Sequence, residues 1–141
     1  MTLGNYRGPA GVHVSILAAV AFAVAVVSGC ASAPTTLPAP FGTNETSLGT
    51  VLTDSKGMTL YTLKSDPDGQ SQCIKRCAKT WPPLMVSAGD AASGGFSIIP
   101  RPDGGKQWAY RNRPLYLWVK DKKPGDVTGH DKGDVWYVAR P

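Results

Sequence analysis

Cysteines hold most of the chemistry that this 141-residue sequence offers. Cys73 and Cys77 stand four apart in the stretch SQCIKRCAKTWPP, which reads as a short helix. Ser71 can cap it, residues 72–80 can form about two turns, and Pro82 stops it with Trp81 pushed extended. Four apart on a regular helix, two Cα atoms lie about 6 Å from each other, near the long end for a disulfide, so a bridge here predicts a distorted turn. The pair has three readings: a structural disulfide, a redox-active dithiol whose pKa Lys75 and Arg76 would lower, or ligands to a metal or haem. The sequence C-x2-C-H of a covalent c-type haem is absent, and His130 is the only histidine beyond the N-terminal leader. A multi-His zinc or copper site is therefore excluded, and His130 reads as a turn residue of TGHDKGD. No Ser-His-Asp set has motif support, and Asp66-Pro67-Asp68-Gly69 lacks the alternating ligands and terminal Glu of a calcium loop. Nothing cradles a phosphate. The expectation is a protein that is not an enzyme, with no catalytic residues, no metal and no cofactor.

The third cysteine is an address. Residues 14–27 (VSILAAVAFAVAVV) form an uncharged apolar run behind a leader carrying Arg7. It is shorter than the roughly 20 residues of a spanning helix and suits the core of a signal peptide. Val27-Ser28-Gly29-Cys30 then resembles the lipobox of bacterial lipoprotein signals. That resemblance implies a signal peptide over 1–29, cleavage before Cys30 and lipidation of its thiol. Two or three acyl chains anchor stably where one would not. The membrane is thus a partner through Cys30, and the place is the exported face of the cell envelope. With Ala31 following, that is the outer membrane facing the periplasm if the host has two membranes. Residues 30–46, rich in Pro, Ala and Thr, read as lipidated cysteine and extended tether, outside any core. With Cys30 spent on lipid, an exported chain is left with two cysteines, which favours a Cys73–Cys77 disulfide. Its small loop makes that bond worth only about 2 kcal/mol.

What must position these groups is a domain over 47–141, expected as all-β and mainly antiparallel. With 16 Gly and 12 Pro, the composition suits short strands and tight turns. Two hairpin units of one design appear: residues 50–66 (TVLTDSKGMTLYTLKSD) and 106–121 (KQWAYRNRPLYLWVKD). In each, Leu-Tyr ends in Asp five residues after the Tyr, Tyr61 to Asp66 and Tyr116 to Asp121. Each is followed by an acidic Pro/Gly turn, so the pattern predicts a pseudo-symmetric pair with the short Cys-x3-Cys helix between them. Further strands are expected at 95–100 and 135–139. In 115–119 both faces are apolar, Leu115, Leu117 and Val119 on one and Tyr116 with Trp118 on the other, which predicts a central strand begun by Pro114. Tyr61, Trp108, Tyr110, Tyr116, Trp118, Trp136 and Tyr137 either fill the core or form a stacking platform, with Asp66 and Asp121 as polar partners or turn caps.

Lys and Arg number 15 against 10 Asp and Glu, for a net charge of +5, but the two signs are interspersed. No block is long enough for a nucleic-acid footprint, so nucleic acid is not an expected partner. A weaker attraction to anionic envelope polymers or lipid headgroups is compatible with this charge.

Residues 48–141 resemble a bacterial family of predicted lipoproteins, the secreted repeat of unknown function, marked by a Tyr-x-aromatic-x-x-Asp motif. Tyr116, Trp118 and Asp121 fit that motif fully; Tyr61 and Asp66 fit it with Leu63 at the aromatic position. The stretches LGTVL, CAKTWPPL, QWAY and Pro124-Gly125-Asp126 carry the rest of the likeness. The family implies no established activity. The first expectation is a lipid-anchored envelope protein that binds or scaffolds without catalysis, with an envelope polymer or envelope protein as partner. The alternative is an accessory redox or electron-transfer protein using Cys73 and Cys77, or a haem or quinone on the aromatic face.

Overall fold

The computed structural model describes residues 40–141, together with Gly4, Gly8 and Gly11. Apart from those three glycines, the segments expected as signal peptide, lipidated Cys30 and tether as far as residue 39 lie outside the described residues. Seven strands and one helix follow in chain order: β1 (Gly42–Thr46), β2 (Gly49–Thr53), β3 (Tyr61–Leu63), α1 (Arg76–Thr80), β4 (Phe96–Pro100), β5 (Lys106–Tyr110), β6 (Arg113–Pro114) and β7 (Trp136–Val138). All strand pairings are antiparallel: β1 with β2, β3 with β7, and β4-β5-β6 as a three-stranded sheet. Among the described residues no helix is long and apolar enough to cross a membrane.

The fold starts earlier than the sequence reading placed it. Residues 42–46 were expected in the tether, yet they form β1, in register with β2 from Gly42 opposite Thr53 to Thr46 opposite Gly49. Phe41 is buried as well, stacked on Phe96 with ring centroids 3.7 Å apart and edge-on to Trp108 at 4.9 Å. β1 is polar because it covers an edge, and the one apolar side chain that commits the segment to the core sits just before it.

The two expected hairpins form, and they are closed in an unexpected way. In the first, Leu60 N donates to Leu52 O, Leu52 N donates to Ala139 O, and Ala139 N donates to Leu60 O. In the second, Leu115 N donates to Trp108 O, Trp108 N to Leu84 O, and Leu84 N to Leu115 O. Ala139 thus comes from the second half to close the first hairpin, and Leu84 from the first half to close the second. β3 pairs with β7 for the same reason, and Tyr116 bridges both Tyr61 and Pro83. Where the halves meet, Tyr61 and Tyr116 exchange both backbone hydrogen bonds at 2.8 and 2.9 Å. A contact in which each residue meets its own counterpart marks a two-fold relation.

The core follows that relation. Trp81 and Trp136 stack at 3.9 Å and 8°, and Trp118 stacks on the other side of Trp81 at 4.1 Å. Tyr61 meets Trp81 edge-on at 5.4 Å, as Tyr116 meets Trp136 at 5.1 Å. Cys73, Val51 and Val138 pack against this cluster, while Leu52, Leu60, Leu115, Phe96 and Trp108 form a second one. Of the seven aromatics considered as a stacking platform, six are buried and only Tyr137 is partly open. They fill the core.

Two local expectations change. The strand at 115–119 is central through Tyr116, but Val119 is exposed and Pro114 ends β6 opposite Ala109 instead of starting a strand. α1 is a single turn beginning at Arg76, not two turns from residue 72, because Lys75 takes a left-handed φ of 52° that breaks the helix before it. Ser71 consequently caps nothing there.

Candidate functional site

The motif tyrosines and aspartates meet across the two halves. Tyr61 Oη donates to Asp121 Oδ2 at 2.6 Å, and Tyr116 Oη donates to Asp66 Oδ2 at 2.5 Å. Each Tyr of one repeat therefore serves the Asp of the other. The second carboxylate oxygen caps the following turn: Asp66 Oδ1 accepts from Gln72 N at 2.9 Å, and Asp121 Oδ1 accepts from Thr128 N at 3.1 Å and Oγ1 at 2.6 Å. Both sequence readings of these aspartates, polar partner and cap, are thus used at once. Burial, and then the adjacent carboxylate, push both phenols well above the ordinary tyrosine range, so they stay protonated donors. Burial also raises the Asp66 carboxyl, against the pull of the hydrogen bonds from Tyr116 and Gln72.

The two ends of this lock differ. Tyr61 Oη accepts a backbone N–H, that of Gly129 at 3.3 Å. At the other end Tyr116 Oη lies 2.7 Å from Ser71 Oγ, and Ser71 in turn accepts from Arg101 Nη1 at 3.0 Å. Arg101 is buried. Its Nη1 also donates to Gln107 Oε1 at 2.5 Å, its Nη2 to Cys73 O at 2.9 Å, and its Nε and Nη2 to Asp103 at 2.8 Å each. Gln107, fully buried, passes its Nε2–H to Leu115 O. Every donor of the guanidinium has a partner, which is what a buried arginine requires. The chain Asp103–Arg101–Ser71–Tyr116–Asp66 is thereby a continuous polar rod reaching the core from the surface.

Its outer end floors a cleft of about 550 Å³ lined by Gly69, Gln70, Ser71, Gln72, Ile74, Pro100, Arg101 and Pro102. Ser71 and Arg101 are buried at the bottom, Gln70, Gln72, Pro100 and Pro102 are exposed at the rim, and Ile74 lies between. The size is that of small-molecule sites generally. Two side-chain amides over apolar Ile and Pro walls can hold a neutral chain bearing hydroxyls or amides. Arg101 and Ser71 are committed to each other, so they position the walls.

Cys73 and Cys77 are at disulfide distance, with Cα atoms 5.1 Å apart, Cys77 in α1 and Cys73 just before it. Cys73 is buried beside Trp81, and its carbonyl is the one held by Arg101. The cysteine pair and the arginine thus both hold Cys73, which lies within the segment 69–74 that forms one cleft wall. His130 is a turn residue, as expected: its N–H donates to Val127 O, and its Nδ1 accepts from Val138 N at 3.2 Å. Among the described residues no three His, Cys, Asp or Glu side chains are placed to hold a metal ion.

Sequence reasoning singled out Tyr61, Asp66, Tyr116, Trp118, Asp121, Cys73 and Cys77, and the fold gathers all of them around one Trp stack. It missed Arg101 and Gln107. The signal available was an arginine between two prolines at the end of an apolar strand, Pro100-Arg101-Pro102, which reads equally well as an exposed turn.

Two comparisons with known proteins find nothing: no curated protein and no solved structure matches the chain. A third does. The family described as "Secreted repeat of unknown function" matches twice, over residues 42–85 and 97–140. The first match runs from β1 to the strand that closes the second hairpin, and the second from β4 to the strand that closes the first.

Proposed function

This chain belongs to the secreted-repeat family of unknown function, and from that premise we propose that it is a lipid-anchored protein of the bacterial cell envelope whose repeat domain binds or scaffolds without catalysing a reaction. The anchor would be Cys30 of the lipobox, freed by removal of residues 1–29. If the host has two membranes, Ala31 favours the periplasmic face of the outer membrane. The binding surface would be the cleft over Ser71 and Arg101, and its occupant a neutral stretch of an envelope polymer or of an envelope protein.

One observation carries this reading. Both Tyr–Asp pairs, the groups best suited to proton transfer, are buried and spent on each other, while the asymmetric Arg101 rod ends at an open cleft. Two copies of one design need only what they share in order to fold. What only one of them has, Arg101 and Gln107 under a cleft, is where a separate role is built.

The experiment is to purify the exported protein from membranes, weigh it with and without thiol alkylation, and titrate it with envelope glycan and peptide fragments. A diacylglyceryl mass on Cys30, unlabelled Cys73 and Cys77, and binding lost in Ile74→Arg at unchanged melting temperature are expected. An unmodified Cys30 in a soluble exported protein overturns the anchor. A co-purifying haem or quinone, or labelling of the cysteine pair under mild reductant, overturns the non-catalytic reading in favour of redox.

A further inference from the structure

A second cleft, of about 220 Å³, shares no lining residue with the first and is lined by Thr62, Tyr110, Arg111, Arg113, Val138, Ala139 and Arg140. Three of these residues are arginines and none is acidic. Among the described residues the ion pairs are Arg101–Asp103 and a long one of 3.9 Å between Arg113 and the largely exposed Asp68. Arg111 and Arg140 have no carboxylate within ion-pair reach. Three arginines lining one small cleft give it a local excess of positive charge, which an anion relieves.

The fold holds two of the three in place. Arg113 donates Nη2 to Leu63 O at 2.6 Å and Nη1 to Asp66 O at 3.1 Å. Arg111 lies over the Tyr110 ring, 5.0 Å from its centroid. Arg111 also sits in the two-residue turn of the second hairpin with φ of 48°, beside Asn112 at 64°. Both central residues at positive φ are what a type I′ hairpin turn requires. Glycine and asparagine suit that conformation, and arginine does so poorly.

We propose that this cleft binds a phosphate ester. A tetrahedral phosphate offers oxygens in several directions and can take guanidinium donors from Arg111 and Arg140 together with the N–H groups of Arg113 that Leu63 O and Asp66 O leave over, whereas a carboxylate is satisfied by one or two. The chemistry is shared by the headgroup of an anionic lipid and by a soluble phosphate ester.

The test uses the full chain in neutral detergent and titrates it with sn-glycerol 3-phosphate at low salt, followed by NMR. A parallel titration uses nanodiscs of phosphatidylglycerol against phosphatidylcholine. Saturable binding that shifts the signals of Thr62, Tyr110 and Arg111 and weakens with added salt is expected. Each of Arg111→Ala and Arg140→Ala, both exposed and outside the core, should weaken it about tenfold or more, the loss of one charge-assisted hydrogen bond, at unchanged melting temperature. Preference for phosphatidylglycerol nanodiscs over the soluble ester identifies a lipid headgroup; the reverse identifies a soluble ester; either supports the site. Absence of saturable binding in both arms, or equal binding by the Arg111→Ala/Arg140→Ala protein, overturns it. So does citrate binding at the cleft as tightly as the phosphate ester.

Discussion

Tyr61 and Asp121, separated by 60 residues in the chain, share a 2.6 Å hydrogen bond in the core, and Tyr116 with Asp66 repeats it from the other side. The repeated Tyr-to-Asp spacing is therefore a statement about two repeats at once: within one repeat, its Tyr and its Asp serve different partners. Removing one phenol leaves a buried carboxylate short of a donor. Tyr61→Phe and Tyr116→Phe should each destabilise the fold by about 1–3 kcal/mol, the cost of an unsatisfied buried group. Chemical denaturation measures this, and a change below a few tenths of a kcal/mol would show the lock to be incidental.

The same phenols set the alkaline limit. Their pKa is raised in the folded state, so between the ordinary tyrosine value of about 10 and the folded value the native chain holds more protons than the unfolded chain. Their contribution is complete below about pH 10 and is lost as pH rises beyond it. Melting temperature should fall above about pH 10, and less steeply in the Tyr61→Phe/Tyr116→Phe protein. Parallel alkaline limbs in the two proteins would contradict the assignment.

Asp66 acts at the other end of the scale with the same sign. Its folded pKa is raised by burial, so its contribution is greatest below the ordinary carboxylate value of about 4 and declines as pH rises through the folded value. Asp66→Asn cannot ionise; its one acceptor oxygen can still take Gln72 N–H while its NH2 turns a donor toward Tyr116 Oη, an offset in stability that does not vary with pH over this range. The stability of the parent minus that of Asp66→Asn should decrease from pH 3 to pH 7. Using the difference removes Asp103 and Asp126, whose carboxyls are held low by Arg101 and by the Lys122 and Lys123 N–H groups respectively and titrate with the opposite sign.

Some of this was legible in the residues. The spacing from Tyr61 to Asp66 and from Tyr116 to Asp121 announced the repeat, and Arg111-Asn112-Arg113 between two strand-like runs announced a hairpin. The cysteine pair four apart announced a distorted turn, and Lys75 at a φ of 52° is where the turn departs from a helix. The exchange of closing strands was not legible, because nothing in PPLMV or WYVA says which hairpin each will join. β1 was hidden by its own chemistry. GTNET has no apolar alternation, since an edge strand that buries little needs none, and its one anchor, Phe41, follows a proline-rich stretch that reads as tether. Arg101 was hidden because a buried arginine is recognisable only by the partners the fold brings to it.

Gly129 lies where the Trp stack leaves no room. A Cβ there would stand 2.8 Å from Trp81 Cη2 and 3.0 Å from Trp118 Cγ. Neither ring can retreat without disturbing the Trp81–Trp136 stack. Gly129→Ala should therefore cost about 1–3 kcal/mol, the usual penalty for overpacking a core, with a changed near-UV circular dichroism spectrum from the Trp cluster. An unchanged spectrum and stability would mean that the turn at 128–130 shifts freely.

The exchange of closing strands makes its own demand. Leu84 and Pro83 complete the second hairpin, and Ala139 and β7 complete the first, so each half alone lacks the strand that closes it. The link between the halves, residues 87–95, carries few buried groups, and residues 91–94 are exposed. A protease site placed at 91–93 should therefore be cut without unfolding the protein. The two fragments should co-elute and keep the far-UV spectrum, while either fragment alone is unfolded. Cutting turns an internal contact into an association that costs about 4 kcal/mol or more, so the melting temperature of the nicked protein should fall and depend on concentration. A single half that folds unaided would show that the hairpins close within themselves, and the reciprocal Tyr–Asp bonds would then be docking contacts between two independent units.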